Sequence, residues 1–528
     1  MFKNKLVLPG LTWISLFLLI PCMIVFTYSF FERGVYGGIE YNFNFENYVR
    51  SFKWTYFKIL LTSGQIAFLA ASISVFIAFP AAYCITKANP KYQILLLFFM
   101  MLPFWSNYLI RTYSWMVLLN NQGLINNLLI YIGLIDEPIS LLYTKFSVIV
   151  GLVYNYLPFV VLSIYASLST MNKEVVEASE DLGGNFFDTL IKVIIPLSLP
   201  GILAGFIFVF VLSIGNFITP DLLGGGKFLM IGNLIYDQFL SARDWPFGSS
   251  LSLILVTIML SLLFIQSLIL AKKKIMKKVY LFIVFSFLYI PILTLITLSF
   301  NKSGLPTSWG GFSINWYYEL FENQKIFKAL LNTIIVAFFS TIIAGLLGTL
   351  LAMGMELRKS NKYIEAAAFI PMIIPDIVMA ISLLSFFTLL QFTLGLHSII
   401  ISHVVFNTAF VCAVVRTRFK YFDHNVIEAS YDLGGKHIIT FIKITLPIIL
   451  PGVIAGSLLS FTLSFDEFII AFFTSGAGSS STTLPMLIYS MIRFGVTPEI
   501  NALSTFIILF SFTVVFISQR AVKGKLLM

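Results

Sequence analysis

Long apolar runs alternate with short polar islands along the whole chain, and each run has the roughly 20 residues a helix needs to cross a bilayer core. The pattern predicts twelve spanning helices. In the first half they cover 11–31, 59–85, 94–119, 146–168, 196–219 and 249–271, and in the second 279–300, 329–355, 363–392, 399–415, 447–473 and 502–518. The fold class that follows is an all-α polytopic membrane protein.

The polar islands carry a second signal. Glu177-Ala-Ser-Glu-Asp-Leu-Gly-Gly184 and Glu428-Ala-Ser-Tyr-Asp-Leu-Gly-Gly435 nearly coincide at a spacing of 251. The match continues at the same spacing through Lys192/Lys443, Pro196/Pro447, Pro200/Pro451 and Gly205/Gly456, so the chain is an internal duplication of a half-chain unit. The expected repeats are 1–273 and 274–528. Six spans per repeat return each half to the side it started from, which makes the repeats parallel and relates them by a pseudo-two-fold axis along the membrane normal. Between Thr62 and Thr333 the spacing is 271, so the first half carries about 20 extra residues, assigned to an outer loop at 120–143 with an amphipathic stretch at 124–131.

Composition agrees: 58% of residues are hydrophobic, 11% are charged and mean hydropathy is +0.93, outside the range of a soluble domain. The first apolar run is too long for a signal peptide, and no small-residue cleavage site follows it. With the amino terminus inside, most of the 34 Lys and Arg fall in cytoplasmic segments, including the Lys272–Lys278 cluster between the halves. The net charge of +10 is therefore a topology signal, with both termini cytoplasmic. No interleaved basic and aromatic surface points to nucleic acid; the Lys272–Lys278 cluster suits anionic lipid. Cys22, Cys84 and Cys412 stand singly, His397, His403, His424 and His437 lack metal-ligand spacing, and no catalytic constellation is present.

Each island, 172–196 and 423–447, reads as one device. A capping residue, Asn172 or Asp423, starts a short helix, a Gly pair permits a left-handed turn, and a second helix re-enters the bilayer at Pro196 or Pro447. Glu177, Ala178, Ser179, Asp181, Gly183 and Gly184 in one half, and Glu428, Ala429, Ser430, Asp432, Gly434 and Gly435 in the other, form a cytoplasmic knuckle. Its small residues let another protein approach, and its carboxylates present charge.

The pattern Glu-Ala-Ser-x-x-x-Gly followed by an Ile-x-Leu-Pro-like run resembles the cytoplasmic coupling motif of binding-protein-dependent ABC importer permeases. The resemblance implies that each knuckle docks into one of two cytoplasmic ABC ATPase subunits in a bacterial cytoplasmic membrane. ATP and Mg would then be bound by those partners, with no cofactor in this chain. The sequence lacks Gly-x-x-x-x-Gly-Lys-(Ser/Thr), and Gly224-Gly-Gly-Lys227 has neither its spacing nor its hydroxyl. A lone ion-coupled transporter would have no use for the two knuckles.

The stretches Leu102–Trp115 and Arg243–Gly248 resemble the first permease subunit of spermidine/putrescine importers. Those at 375–384, 464–468 and 490–503 resemble the second. The chain looks like a fusion of the two, which implies an extracytoplasmic polyamine-binding protein as a further partner; fused permeases for ferric iron or thiamine are the alternative. A polyamine pathway needs carboxylates and aromatic faces along an apolar slot. Asp376, Asp466 and Glu467 interrupt predicted spans, and a charge at mid-membrane costs roughly 2.5–3.5 kcal/mol on insertion scales. Trp105, Tyr113 and Trp115 are the aromatic candidates, and Arg111 is expected to pair with a carboxylate. Each has a plainer reading: Asp376 as the cap of a broken helix, Asp466 and Glu467 as outer-interface acids, the aromatics as an interfacial belt. Gly215-Asn216 occupies the equivalent place in the first half.

Overall fold

The computed structural model describes residues 2–35, 37–171, 174–185, 188–269, 280–303, 309–358, 362–419, 422–423, 425–476, 478, 480–494 and 499–509. Asn172, Lys272–Lys278 and His424, together with the Trp105 side chain and the end of the last predicted span, lie outside them.

Each of the twelve predicted runs falls mainly on helix where it is described, with non-helical breaks inside several of them. By length and composition, seven helices among the described residues can cross a membrane: Leu6–Tyr28, Trp54–Lys87, Lys145–Ser169, Thr189–Ile214, Gln324–Glu356, Leu396–Phe419 and Phe441–Asp466. The third predicted span of each half is a bent pair instead of one rod. Tyr92–Phe104 meets Tyr108–Tyr131 at 82°, and Ile364–Met372 meets Asp376–Leu389 at 102°. Proline causes both breaks, since it removes a backbone donor and biases the preceding residue away from helix. Pro103 sits in a 3-10 turn, after which Asn107 starts a new helix by accepting from the backbone of Leu109 and Ile110. In the second half Pro371 lies in the turn and Pro375 is the extended residue before Asp376.

The fifth span of each half also ends earlier than expected, at Ile214 and Asp466, and the chain turns into short helices at Ile218–Gly224 and Ile469–Thr474. The inserted loop contains a helix at Leu124–Tyr131, held by buried Asn126, which donates to the carbonyls of Asn120 and Ile139 and accepts from the Ile139 amide.

Two compact units form, and they do not follow the repeats. Among the described residues, one contains those of 1–27 with those of 323–487, and the other those of 28–322 with those of 488–509. Each repeat's first helix thus packs with the core of the other repeat. In the first unit, Gly10 lies so close to the 324–358 helix that an added Cβ would stand 3.0 Å from Leu351 Cβ, and one on Gly354 would stand 2.1 Å from Val7. Such small-residue contacts let membrane helices approach closely. In the second unit, the Tyr154 hydroxyl donates to the Leu288 carbonyl at 2.7 Å and the Tyr289 hydroxyl to the Phe99 carbonyl at 2.7 Å, tying the 280–298 helix to first-repeat helices.

The duplication extends outside the spans. Ser29 and Tyr48 share a hydroxyl bond of 2.7 Å, as do Ser299 and Tyr317. The Arg243–Gly248 motif has a structural role: buried Asp244 takes Arg50 Nη1 at 2.7 Å and the Phe247 amide at 3.2 Å, while the guanidinium lies 3.9 Å from the Phe247 ring centroid.

Candidate functional site

The two knuckles have the same geometry to within tenths of an ångström. Helices Glu174–Asp181 and Asn425–Asp432 each turn one apolar residue inward, Val176 or Ile427, and leave Glu177–Ala178 and Glu428–Ala429 exposed. Asp423 Oδ1 accepts the Asn425 amide at 3.0 Å at the start of the second helix. Both helices end in a left-handed glycine, Gly183 at φ +78° and Gly434 at φ +80°, where a side chain would be strained. The next glycine is needed for a different reason. Gly184 N–H donates to the Ser179 carbonyl at 2.9 Å and Gly435 N–H to Ser430 at 2.8 Å, and an added Cβ would sit 2.6 Å from either oxygen.

The serines then lock the second helix onto the first. Ser179 Oγ and Thr189 Oγ1 are 2.9 Å apart, and Ser430 Oγ and Thr440 Oγ1 are 2.8 Å apart. Beyond them lie π-helical turns at Thr189–Ile194 and Phe441–Thr445, just before Pro196 and Pro447. A proline cannot donate to the carbonyl four residues back, and the wider turn accommodates that gap. Asp181 and Asp432 are exposed on the same surface.

The sequence reading missed the most exposed apolar residues here. Leu182 is 89% exposed and Leu433 90%, each beside the glycine turn. A leucine in an apolar chain gives no signal until the fold leaves it without a neighbour. The bracing above the knuckles is asymmetric: Tyr165 donates to Gln93 at 3.2 Å, whereas the equivalent Arg416 bonds Glu365 at 2.5 Å and lies 3.8 Å from Glu356.

The pathway candidates divide. Tyr113 and Trp115 are buried in the packing of the first half, Trp115 edge-on to Tyr154, so neither presents a face to a solute here. Arg111 is also buried, and contrary to expectation it forms no ion pair among the described residues. Its guanidinium lies 5.1 Å from the Phe104 ring centroid and 5.7 Å from that of Tyr108, so aromatic faces stand where a carboxylate was expected.

Asp376 is exposed in the first turn of its helix, and Asp466 is half-buried at the end of the fifth span. Glu467 caps the following helix with both oxygens, taking the Ile470 amide at 2.7 Å and the Ala471 amide at 2.9 Å. Behind it stands buried His403, whose Nε2 is 3.2 Å from Glu467 Oε2 and whose Nδ1 is 2.7 Å from Ser464 Oγ.

A further group was absent from the sequence reading. Tyr489 donates to Asp221 at 2.7 Å, and Arg493 donates to Tyr489 at 2.8 Å while lying 3.8 Å from Asp221. Burial and the neighbouring Asp221 push the Asp237 carboxyl up from its ordinary range. The group joins the segment after the first repeat's fifth span to the Leu484–Phe494 helix of the second.

Residues 73–271 and 344–526 match the family model for the binding-protein-dependent transport system inner membrane component. The spermidine/putrescine transport system permease protein PotB of Haemophilus influenzae is 40% identical over 254 residues, 48% of this chain and 89% of that protein. PotC of the same organism is 39% identical over 246 residues, 46% of this chain and 95% of that protein. PotC of Escherichia coli is 40% identical over 244 residues, covering 46% and 92%. With two copies of the family's module in one polypeptide, the chain belongs to the binding-protein-dependent inner-membrane transport components, a family of transporters and not of enzymes.

Proposed function

We propose that this chain carries both permease halves of an ATP-driven importer of polyamines, spermidine or putrescine. The observation that carries the reading is that one polypeptide matches two kinds of spermidine/putrescine permease, each over about half its length. The two knuckles supply the coupling. Glu177 and Glu428 offer charge, Leu182 and Leu433 offer apolar contact, and the Ser–Thr bonds and glycine turns make each surface rigid enough to transmit a push. Two cytoplasmic ABC ATPase subunits would dock there and hold ATP and Mg. Their closure would move the halves between inward and outward access, and an extracytoplasmic binding protein would deliver the solute. Asp376 and Asp466, the acids near the broken spans, are the proposed cation contacts, with both termini on the cytoplasmic side.

The test is uptake of radiolabelled putrescine and spermidine, with the cognate ATPase and binding protein, in a strain lacking its own system. Ferric iron and thiamine serve as controls. Saturable polyamine uptake is expected; import of either control without polyamine transport would overturn the substrate assignment and leave the permease family untouched.

A further inference from the structure

The Leu124–Tyr131 helix of the second unit is apolar on its outer side as well as its inner one. Inward, Ile125 and Leu129 are half-buried around Asn126, whose amide is wholly buried and bonded to the backbone of Asn120 and Ile139. Outward, Leu124, Leu128 and Tyr131 stand at i, i+4 and i+7 and form one stripe. That stripe is bare, with 53%, 56% and 88% of the three side chains exposed. Ile132 and Leu134, also exposed, extend it past the helix end. A helix apolar nearly all round needs an apolar neighbour on both sides.

What that neighbour is follows from where the helix is held. Gly123, just ahead of it, folds back on the Tyr108–Leu119 half of the broken span, so closely that an added Cβ would stand 2.5 Å from the carbonyl oxygens of Val117 and Leu118. On the far side the chain returns through Ile139, held by Asn126, to Tyr143, whose amide donates to the Leu223 carbonyl at 3.0 Å. It then enters Lys145–Ser169. That helix has 25 residues, a length of about 37 Å against a hydrocarbon core of about 30 Å, so its first turn stands at the membrane boundary. Tyr143 and Phe146, both exposed there, are of the residue class that marks such a boundary. The short helix is thus tied on both sides to membrane helices where they leave the bilayer. Lys145–Ser169 leads from here to the first knuckle, so this is the membrane face opposite that knuckle.

Charge separates a lipid surface from a protein partner. Residues 112–144 contain no Lys or Arg, and their two acids, Asp136 and Glu137, lie in the loop past the helix. An uncharged stripe offers nothing to steer or orient a protein. It suits the headgroup–acyl boundary, where buried apolar area drives insertion and tyrosine is favoured. Without cations it has no preference for anionic lipid.

We infer that Leu124–Tyr131 is an interfacial foot, lying in the headgroup–acyl boundary of the leaflet opposite the knuckle with Leu124, Leu128 and Tyr131 turned to neutral phospholipid. Among the described residues the second repeat passes from Leu389 to Leu396 without such a helix, so the foot anchors one half only. The inference concerns the seat of the chain in the membrane and holds whatever solute it carries.

The experiment uses the full chain in phosphatidylcholine liposomes, with Cys22 replaced by Ser so that only buried Cys84 and Cys412 remain. Nitroxides attached at Leu128→Cys, Tyr131→Cys and, as the aqueous control, Glu137→Cys are compared for collision with oxygen, which partitions into lipid, and with a water-soluble nickel chelate. Oxygen should dominate at Leu128 and Tyr131, at a depth of about 5–10 Å, and nickel at Glu137. Adding Leu124→Asp should return the Tyr131 label toward water and leave thermal unfolding in detergent unchanged, which excludes insertion driven by the label itself. Water-like ratios at all three positions would overturn the foot. So would labels shielded only after addition of the extracytoplasmic binding protein, or only as the chain is concentrated, since the stripe would then belong to that partner or to a second copy. A loss of thermal stability in Leu124→Asp would assign the stripe to the chain's own packing and overturn it equally.

Discussion

Asn216 and Glu467, 251 positions apart, do the same structural work with different chemistry. Asn216 Oδ1 accepts the Thr219 amide at 2.9 Å, and Glu467 Oε1 accepts the Ile470 amide at 2.7 Å. Each starts the short helix after its repeat's fifth span. The Asn216 amide nitrogen also donates to the hydroxyls of Tyr108 at 2.6 Å and Tyr156 at 2.9 Å, so the first repeat surrounds the cap with phenols where the second has His403. Equivalent positions have kept the cap and diverged in what else they bind.

Removing either cap should therefore destabilise locally. Asn216→Ala and Glu467→Ala are each expected to cost about 1 kcal/mol from the lost cap, with Asn216→Ala costing more because its two phenol contacts go as well. Thermal unfolding of the detergent-solubilised complex reads this; equal stability of Glu467→Ala and wild type would show that the cap is idle.

Reversing both knuckle charges tests the coupling surface. Glu177→Arg with Glu428→Arg should leave the protein in the membrane, because both residues are exposed and pack against nothing in the bilayer core, yet abolish uptake and uncouple the ATPase. Wild-type import together with normal ATPase pull-down would refute the docking assignment.

The exposed leucines should contribute affinity. Burying one Leu side chain at an interface is worth about 1.5–3 kcal/mol, so Leu182→Asp or Leu433→Asp should weaken ATPase binding by at least about tenfold without changing permease stability. Titration of purified ATPase against the permease in nanodiscs measures it.

Gly183→Val and Gly434→Val force a β-branched residue to φ near +80°, at a cost of roughly 1–2 kcal/mol or a reshaped turn. ATPase stimulation by substrate should fall in both. The loss need not be equal, because the neutral Tyr165–Gln93 contact braces one half and the charged Arg416–Glu365 contact the other.

Neutralising Asp376 is the cleanest probe of the solute path. Its side chain is exposed and makes no hydrogen bond or ion pair among the described residues, so Asp376→Asn removes charge and no structural contact. Polyamine uptake should weaken several-fold with assembly unchanged, and Asp466→Asn should do the same to a lesser degree. Uptake kinetics identical to wild type in both would remove these acids from the pathway.

Apolar run length determined where the helices lie, because a bilayer core of fixed thickness demands it, and the repeated octapeptide determined that the fold is built twice. Local chemistry also made the glycine turns legible, since no other residue tolerates that backbone without strain. Partner choice was not legible. An apolar helix face looks the same whichever helix covers it, so the exchange of first helices between repeats appears only when Gly10 meets Leu351 and Tyr154 meets Leu288. The roles of Leu182, Leu433 and His403 were likewise decided in three dimensions: exposure of a leucine, or burial of an imidazole 3.2 Å from a carboxylate, depends on what distant segments bring to that place.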